Sequence, residues 1–354
     1  MLHVDTTRTI DFLSLNKAGG LWPASNYGPD AIIGVIDSRM WPEIASFRDD
    51  RMGEIPRRDE TGHGTHTTSI ATGNYVRGVS YFGYAKGTTR GVAPCARLVV
   101  CKLTWSRGGS LTSNVIVGMD QALADGDDII SISIGFRGAL PYEDPVSIAS
   151  FAAMEKGALV SSSTGNRGSD LMTVARNPWS LTVGAITIDR QLAGTLTLGN
   201  GKTIIRWSLF PGRNYRGILK PDVVAPGSQV LALWSPKVAT DCVGRNNLFL
   251  SSNYNILSGT SMTCLHASRV AALLKGAHTD WSPTAIRSAM MITVNPLDNT
   301  NNPILDVEFS RPATGLDMGV GQINLNKALN PGLIYDVGVQ EYVNYICSFN
   351  FTRE

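Results

Sequence analysis

Four short, glycine-rich strings hold the residues best suited to chemistry. Asp37 directly follows the apolar run Ala31–Ile36. A carboxylate at a strand's carboxyl end is placed for function, or it caps a turn. His63 lies between two glycines in Asp59-Glu60-Thr61-Gly62-His63-Gly64-Thr65-His66-Thr67, a spacing that lets backbone approach on both sides. His66, three residues on, could form a metal pair with it. No third ligand lies nearby and HExxH is missing, so His66 reads better as a packed helix residue. Asn166 ends Ser161-Ser162-Ser163-Thr164-Gly165-Asn166. Its amide could donate to a developing oxyanion, or serve a turn. Ser261, in Ser258-Gly259-Thr260-Ser261-Met262-Thr263, opens a helical stretch. There it is either an N-cap or a nucleophile whose own N–H faces an oxyanion at the positive helix end.

The elements that must position these residues show in the apolar pattern. Ala31–Ile36, Arg97–Leu103, Asp128–Ile134, Ala158–Ser162, Leu181–Ile186 and Asp222–Ala225 are short runs rich in apolar and β-branched residues. Runs of that kind read as buried parallel strands. Between them Val115–Ala124, Ser147–Lys156 and Ser261–Gly276 read as helices. The alternation predicts an α/β fold, a parallel sheet with helices on both faces, and active sites gather at the carboxyl ends of such strands. Glu43–Glu60 and Ser208–Lys220 break the rhythm as polar connectors without a strand. The tail after Pro331 reads as an extra segment outside the core.

Composition narrows the function classes. The 354 residues are 43% hydrophobic and 17% charged, which excludes a disordered chain and predicts a large core. The net charge of +2 offers no electrostatic case for nucleic acid. No apolar run spans a bilayer, so no membrane partner is expected. The first residues show neither a basic region nor an apolar segment of a signal peptide. Five cysteines without a CxxC pair suggest neither zinc nor a disulfide framework. No cofactor or metal is expected. GTSMT is not the GxSxG elbow of α/β-hydrolases, and no Walker or GxGxxG loop occurs.

Taken in order, Asp37, His63, Asn166 and Ser261 resemble the Asp, His, Asn, Ser succession of subtilisin-like serine proteases, in the local strings GVID, GHGTHT, GN and GTSM. Lys220-Pro221-Asp222-Val223-Val224-Ala225-Pro226-Gly227 and Pro331-Gly332-Leu333-Ile334-Tyr335-Asp336 resemble plant subtilases in particular. The resemblance implies the subtilisin-like three-layer fold and a serine endopeptidase acting on peptides or proteins. It implies Ser261 as nucleophile, His63 as general base, Asp37 as its partner, and Asn166 with the Ser261 N–H as the oxyanion site. It also implies that Ser133, Ile134 and Gly135 line the peptide cleft, where substrate adds as a strand. Ser163, Thr164 and Gly165 would wall the pocket for the residue before the scissile bond. Cys264 is expected to be a packed free thiol. Residues 1–330 would form the catalytic domain, and 331–354 would lead into a C-terminal fibronectin-like domain. The family is secreted, which implies an extracellular, apoplastic location although the chain shows no export signal. Asn350-Phe351-Thr352 is a glycosylation pattern.

Departures from the family pattern set a second reading beside the first. Arg39 and Arg269 stand where the family has Gly, and Leu265 where it has Pro. Arg39 could pair with Asp37 and divert it from His63. Arg269 would bury an unpaired charge unless its stem carries the head to the surface. A protease-associated insert expected between Ile186 and Lys220 is missing near 208–216. The chain is thus either a working endopeptidase or a catalytically inactive or misfolded relic that retains the motifs, a pseudoenzyme or peptide-binding module.

Overall fold

The computed structural model describes residues 9–47, 58–103, 112–135, 139–166, 177–188, 194–197, 203–206, 220–243, 248–307 and 310–348. The strands are β1 (Ile32–Asp37), β2 (Val76–Tyr81), β3 (Tyr84–Thr89), β4 (Arg97–Lys102), β5 (Ile129–Ile132), β6 (Leu159–Ser163), β7 (Leu181–Ile186), β8 (Gly194–Thr197), β9 (Thr203–Arg206), β10 (Val223–Pro226), β11 (Val230–Leu233), β12 (Asp241–Val243), β13 (Leu248–Leu250) and β14 (Tyr254–Leu257). The helices are α1 (Thr9–Phe12), α2 (Leu21–Ala24), α3 (His63–Thr72), α4 (Thr112–Ala124), α5 (Pro145–Glu155), α6 (Thr260–Ala277), α7 (Pro283–Ile292), α8 (Gly315–Met318), α9 (Leu325–Ala328) and α10 (Val339–Cys347).

Six parallel strands form the central sheet in the order β10-β7-β6-β5-β1-β4. They are the six apolar runs expected from sequence, with ends shifted by a residue or two. Successive residues bury on opposite faces, which is why the runs are continuously apolar. Ile33, Val35, Ile129 and Leu159 join the core under α2, α3, α6 and α7, while Ile36, Ile130, Ile132 and Val160 pack on the other face with α4 and α5. Three layers result, as expected. Residues 48–57 and 207–219, which contain most of the two polar connectors, lie outside the described residues. So do Asn350 and its glycosylation pattern.

The antiparallel pairs β2–β3, β8–β9, β11–β14 and β12–β13, and the two-residue strands Leu305–Asp306 and Arg311–Pro312 that pair with each other, are not predicted by the sequence. Strand β2 carries Gly78 at positive φ, and register shifts interrupt its ladder with β3. Bulging of this kind blurs the period-2 signal. The tail after Pro331 also differs from expectation. Tyr342 of α10 is buried and packs edge-on against Trp179, with ring centroids 6.1 Å apart. The tail therefore extends the core instead of lying outside it.

A buried ion triad joins the sheet edge to α7. Asp222 accepts from Lys220 Nζ at 2.7 Å, Arg287 at 2.8 Å and the Thr182 N–H at 2.8 Å. Two cations and a peptide donor satisfy the one carboxylate, as burial requires. Burial, offset in part by Asp222, brings the Lys220 amine down to about 8.

Among the described residues Asp127 has no such partners. Both carboxylate oxygens are buried and unbonded, and Gly34 of β1 makes room for them, since a Cβ there would lie 2.0 Å from Oδ2. Burial, then the charges of Asp125 and Asp128, push the Asp127 carboxyl up to about 7. The folded chain holds this proton from pH 3.8 to about 7, while the unfolded chain has lost it, so stability falls as pH rises through that window. Asp127→Asn should flatten this fall and raise stability at pH 8 by about 1–3 kcal/mol. Urea denaturation across pH tests this, and an unchanged pH slope would contradict it.

Candidate active site

The chemistry-bearing residues converge at the carboxyl ends of the parallel strands. Asp37 is the last residue of β1, Ser133 follows β5, and Ser163 ends β6 with Asn166 three residues on. Two helix N-termini face them: α3 begins at His63, and α6 at Thr260 with Ser261 next.

Asp37 is buried, yet its oxygens are well supplied with donors. The His63 Nδ1–H lies 2.8 and 2.9 Å from its two oxygens, the Ser38 N–H donates at 2.6 Å and the Thr67 hydroxyl at 3.0 Å. Burial alone would raise the carboxyl. The His63 charge and these hydrogen bonds outweigh it and hold Asp37 below its ordinary value. An ionised Asp37 fixes the proton on Nδ1 and leaves Nε2 free to accept one. Conversely, the Asp37 charge raises His63 above 6.5, against burial, with Asp59 adding to the rise. The His63 side chain is 37% exposed, open enough to meet a substrate.

Both glycines beside His63 serve close approach. Gly62 has φ +86°, and a Cβ there would lie 2.5 Å from the Trp234 ring. A Cβ on Gly64 would fall 2.0 Å from the Arg39 carbonyl oxygen. His66 turns away into the core, its Nε2–H 3.1 and 3.2 Å from the carbonyls of Val230 and Asn255. Burial brings it down to about 3, so it is neutral. Among the described residues no group of three or more His, Cys, Asp or Glu could hold a metal ion.

At the start of α6 the N-cap is Gly259, so Ser261 is not a cap. Asn166 caps in its place, its Oδ1 accepting from the Thr260 N–H at 2.8 Å and the Thr260 hydroxyl at 3.1 Å. A peptide donor requires the oxygen on that side, which leaves the Asn166 Nδ2 pointing elsewhere. Its N–H groups and that of Ser261 have no partner among the described residues. Two free donors thus stand at one helix N-terminus, the arrangement an oxyanion needs. No hydrogen bond joins His63 to Ser261 among the described residues, and such contacts commonly tighten only with substrate.

The cleft candidates sit nearby. Ser133 is half-buried, and its hydroxyl reaches 3.5 Å from the Ser261 carbonyl. Ile134 and Gly135 continue beyond β5, half-buried. Ser163 and Thr164 are buried, and the Thr164 hydroxyl donates to Val183 O at 3.3 Å. Gly165, at φ +90°, gives its N–H to the Thr260 hydroxyl at 3.1 Å. Cys264 is buried and free, its thiol 3.2 Å from Ser161 O.

Comparison with known proteins agrees with this geometry. Residues 31–311 match the model of the Subtilase family, Peptidase_S8. The chain belongs to the subtilase family. It is 38% identical to Subtilisin-like protease SBT3 of Solanum lycopersicum over 521 aligned positions, covering 99% of this chain and 68% of that protein. Subtilisin-like protease SBT1.6 of Arabidopsis thaliana is 32% identical, with 99% of this chain and 70% of that protein covered. Among solved structures, the prenylagaramide maturation protease PagA superposes with a TM-score of 0.59 at 20% identity. It covers 88% of this chain and 96% of its own, and it supports the fold. Family and relatives make the chain a serine endopeptidase with peptide or protein substrates. Nothing in the comparisons favours an inactive relic.

Against the family pattern, Arg39 forms no ion pair with Asp37 among the described residues. Its difficulty is backbone: φ is +81°, the left-handed region, at about 1–2 kcal/mol for a residue with a Cβ. A Gly there would carry no such strain. Leu265 fits the core, 1% exposed. Arg269 does not snorkel. It is fully buried in α6, and among the described residues all three guanidinium nitrogens are unbonded. Burial drives its pKa far down. Asp59, Ser38 and Thr67 do not stand out in the sequence, because a carboxylate four residues before a helix start is not in the N-cap position, which Gly62 holds.

Replacing Arg269 by Met keeps the aliphatic stem and removes the charge. Arg269→Met should stabilise the fold by about 1–4 kcal/mol, the range seen when buried charges give way to apolar residues. A thermal midpoint that stays or falls would contradict the buried, unpaired placement.

Proposed function

We propose that this subtilase cleaves extended segments of peptides or proteins with Ser261 as its nucleophile. The supporting observation is the Asp37–His63 pair, with Nδ1 2.8 Å from the carboxylate, set beside the α6 N-terminus that carries Ser261. His63 Nε2 takes the hydroxyl proton as Ser261 Oγ attacks the carbonyl carbon. The carbonyl oxygen, now negative, lies between the Asn166 amide and the Ser261 N–H. The C–N bond breaks, the amine leaves with the proton from His63, and an acyl-serine remains. Water then repeats the sequence and releases the acid. Ser133, Ile134 and Gly135 pair with substrate backbone as an added strand, and Ser163, Thr164 and Gly165 bound the pocket for the residue before the cut.

The site of action is extracellular on this reading, in keeping with the plant relatives. Residues 1–330 form the catalytic domain, and 331–354 lead toward a fibronectin-like domain after Tyr342 has packed back onto Met154 and Trp179 of that core. The alignment with the tomato relative runs over 521 positions against 354 residues here. The excess means that the relative carries residues within the aligned region that this chain lacks, in keeping with a missing insert.

A fluorophosphonate probe should label the wild-type chain and leave Ser261→Ala unlabelled. Asp37→Asn, which permits the wrong imidazole tautomer, should lower kcat by about 10⁴. Because His63 must be neutral to accept the proton and its pKa is raised, the acid limb of kcat/KM should lie above pH 6.5. A folded wild-type chain that resists the probe would refute the assignment.

A further inference from the structure

Asp59 lies outside the proposed triad, yet its carboxylate is fully buried and accepts six hydrogen bonds. Oδ1 takes the Ser38 hydroxyl at 2.9 Å, the Thr61 N–H at 2.9 Å, the Thr61 hydroxyl at 3.1 Å and the Gly62 N–H at 3.0 Å. Oδ2 takes the Thr65 N–H at 2.8 Å and the Thr65 hydroxyl at 2.6 Å. Among the described residues no cation pairs with it. Every partner is a donor, so the site is built for an anion.

These bonds tie together the two segments that carry Asp37 and His63. The Ser38 hydroxyl that donates to Asp59 also accepts the Gly64 N–H at 2.8 Å, and the Ser38 N–H donates to Asp37. The Thr65 hydroxyl that donates to Asp59 accepts the Trp41 N–H at 3.0 Å. The chain leaving β1 and the first turn of α3 are thus fastened to one carboxylate. A neutral cap would satisfy the helix end alone; it would neither bridge to β1 nor carry charge.

We propose that Asp59 is a positioning residue for His63, locking the start of α3 to the end of β1. The proposal rests on His63 acting as the general base. Asp37 from β1 and Asp59 are the charges acting to raise His63. The other titratable groups on its own and adjoining elements are neutral His66 on α3, neutral His266 with Cys264, Arg269 and Lys275 on α6, Arg97, Cys101 and Lys102 on β4, Arg39 after β1, and Arg58 and Glu60 before α3, Glu60 pairing with Lys102.

The test is NMR titration of the five histidines in the wild type and in Asp59→Asn, with His63 assigned by its loss in His63→Ala. The His63 midpoint should move to lower pH in Asp59→Asn. Its kcat should fall by about 10–100-fold with KM little changed, as when a partner that orients a functional side chain is removed. An unshifted midpoint, with activity lost only in proportion to unfolded protein, would overturn the proposal. If Asp59→Asn does not fold, the isosteric Thr65→Val removes one Asp59 bond and should lower kcat alone, with Thr65→Ser restoring it. Wild-type kcat in Thr65→Val would overturn the proposal. The titration does not depend on turnover. A wild-type chain deaf to the fluorophosphonate probe refutes the triad reading separately from this result.

Discussion

A buried carboxylate at the end of one strand meets an imidazole at the first residue of a helix, and the rest of the site depends on that contact. Asp37 could not remain ionised in the core without donors, and it has four bonds from His63, Ser38 and Thr67. Each fixes something different. The His63 bonds set the tautomer, the Ser38 N–H comes from the chain leaving β1, and the Thr67 hydroxyl comes from the second turn of α3. Strand, connector and helix are therefore locked to one another through one side chain, and a small displacement of any would be felt at Nε2.

The second constraint is α6. Fifteen of its eighteen residues, Thr260 to Leu274, are buried, so it is a core helix with no solvent face along most of its length. Such a helix cannot slide, which gives Ser261 a defined place at its N-terminus. Asn166 completes the arrangement by capping α6 with its oxygen while its nitrogen remains free. The same confinement explains why Arg269 is costly. A residue on an amphipathic helix could swing outward, but here no direction leads to solvent, as the 0% exposure of Arg269 records.

Much of this was legible in the sequence, and the reasons differ by residue. The six core strands showed because burial on both faces leaves continuous apolar runs. Asp37, His63 and Ser261 showed because glycines mark the close approaches around them and because strand ends and helix starts concentrate chemistry. Asp59 did not show, since a lone carboxylate beside a glutamate reads as solvated surface. Only the fold reveals that six donors converge on it. The β2–β3 hairpin was hidden by bulges, and α10 was hidden because its single buried anchor, Tyr342, finds its partners Met154 and Trp179 far away in the chain. Arg39 showed, but for a different reason from the one that matters: the sequence suggests a charge conflict, whereas the structure locates the problem in its backbone angle.

The Asp37–His63 pair also sets a conflict between holding the site together and using it. The raised pKa of His63 means the protonated ring is favoured in the folded chain. Its contribution to stability is complete below pH 6.5, the ordinary value, and is lost as pH rises through the folded value. Catalysis needs the opposite form, the neutral ring. In the pH range where the site works, then, the full charge attraction is gone, only the neutral Nδ1–H bond still joins the two residues, and their geometry leans on other bonds. The Ser38 N–H, the Thr67 hydroxyl and the bonds gathered at Asp59 do not titrate with His63. They keep the geometry while the imidazole is neutral, and the charge attraction returns when the ring takes the serine proton, which is when transition-state stabilisation is needed.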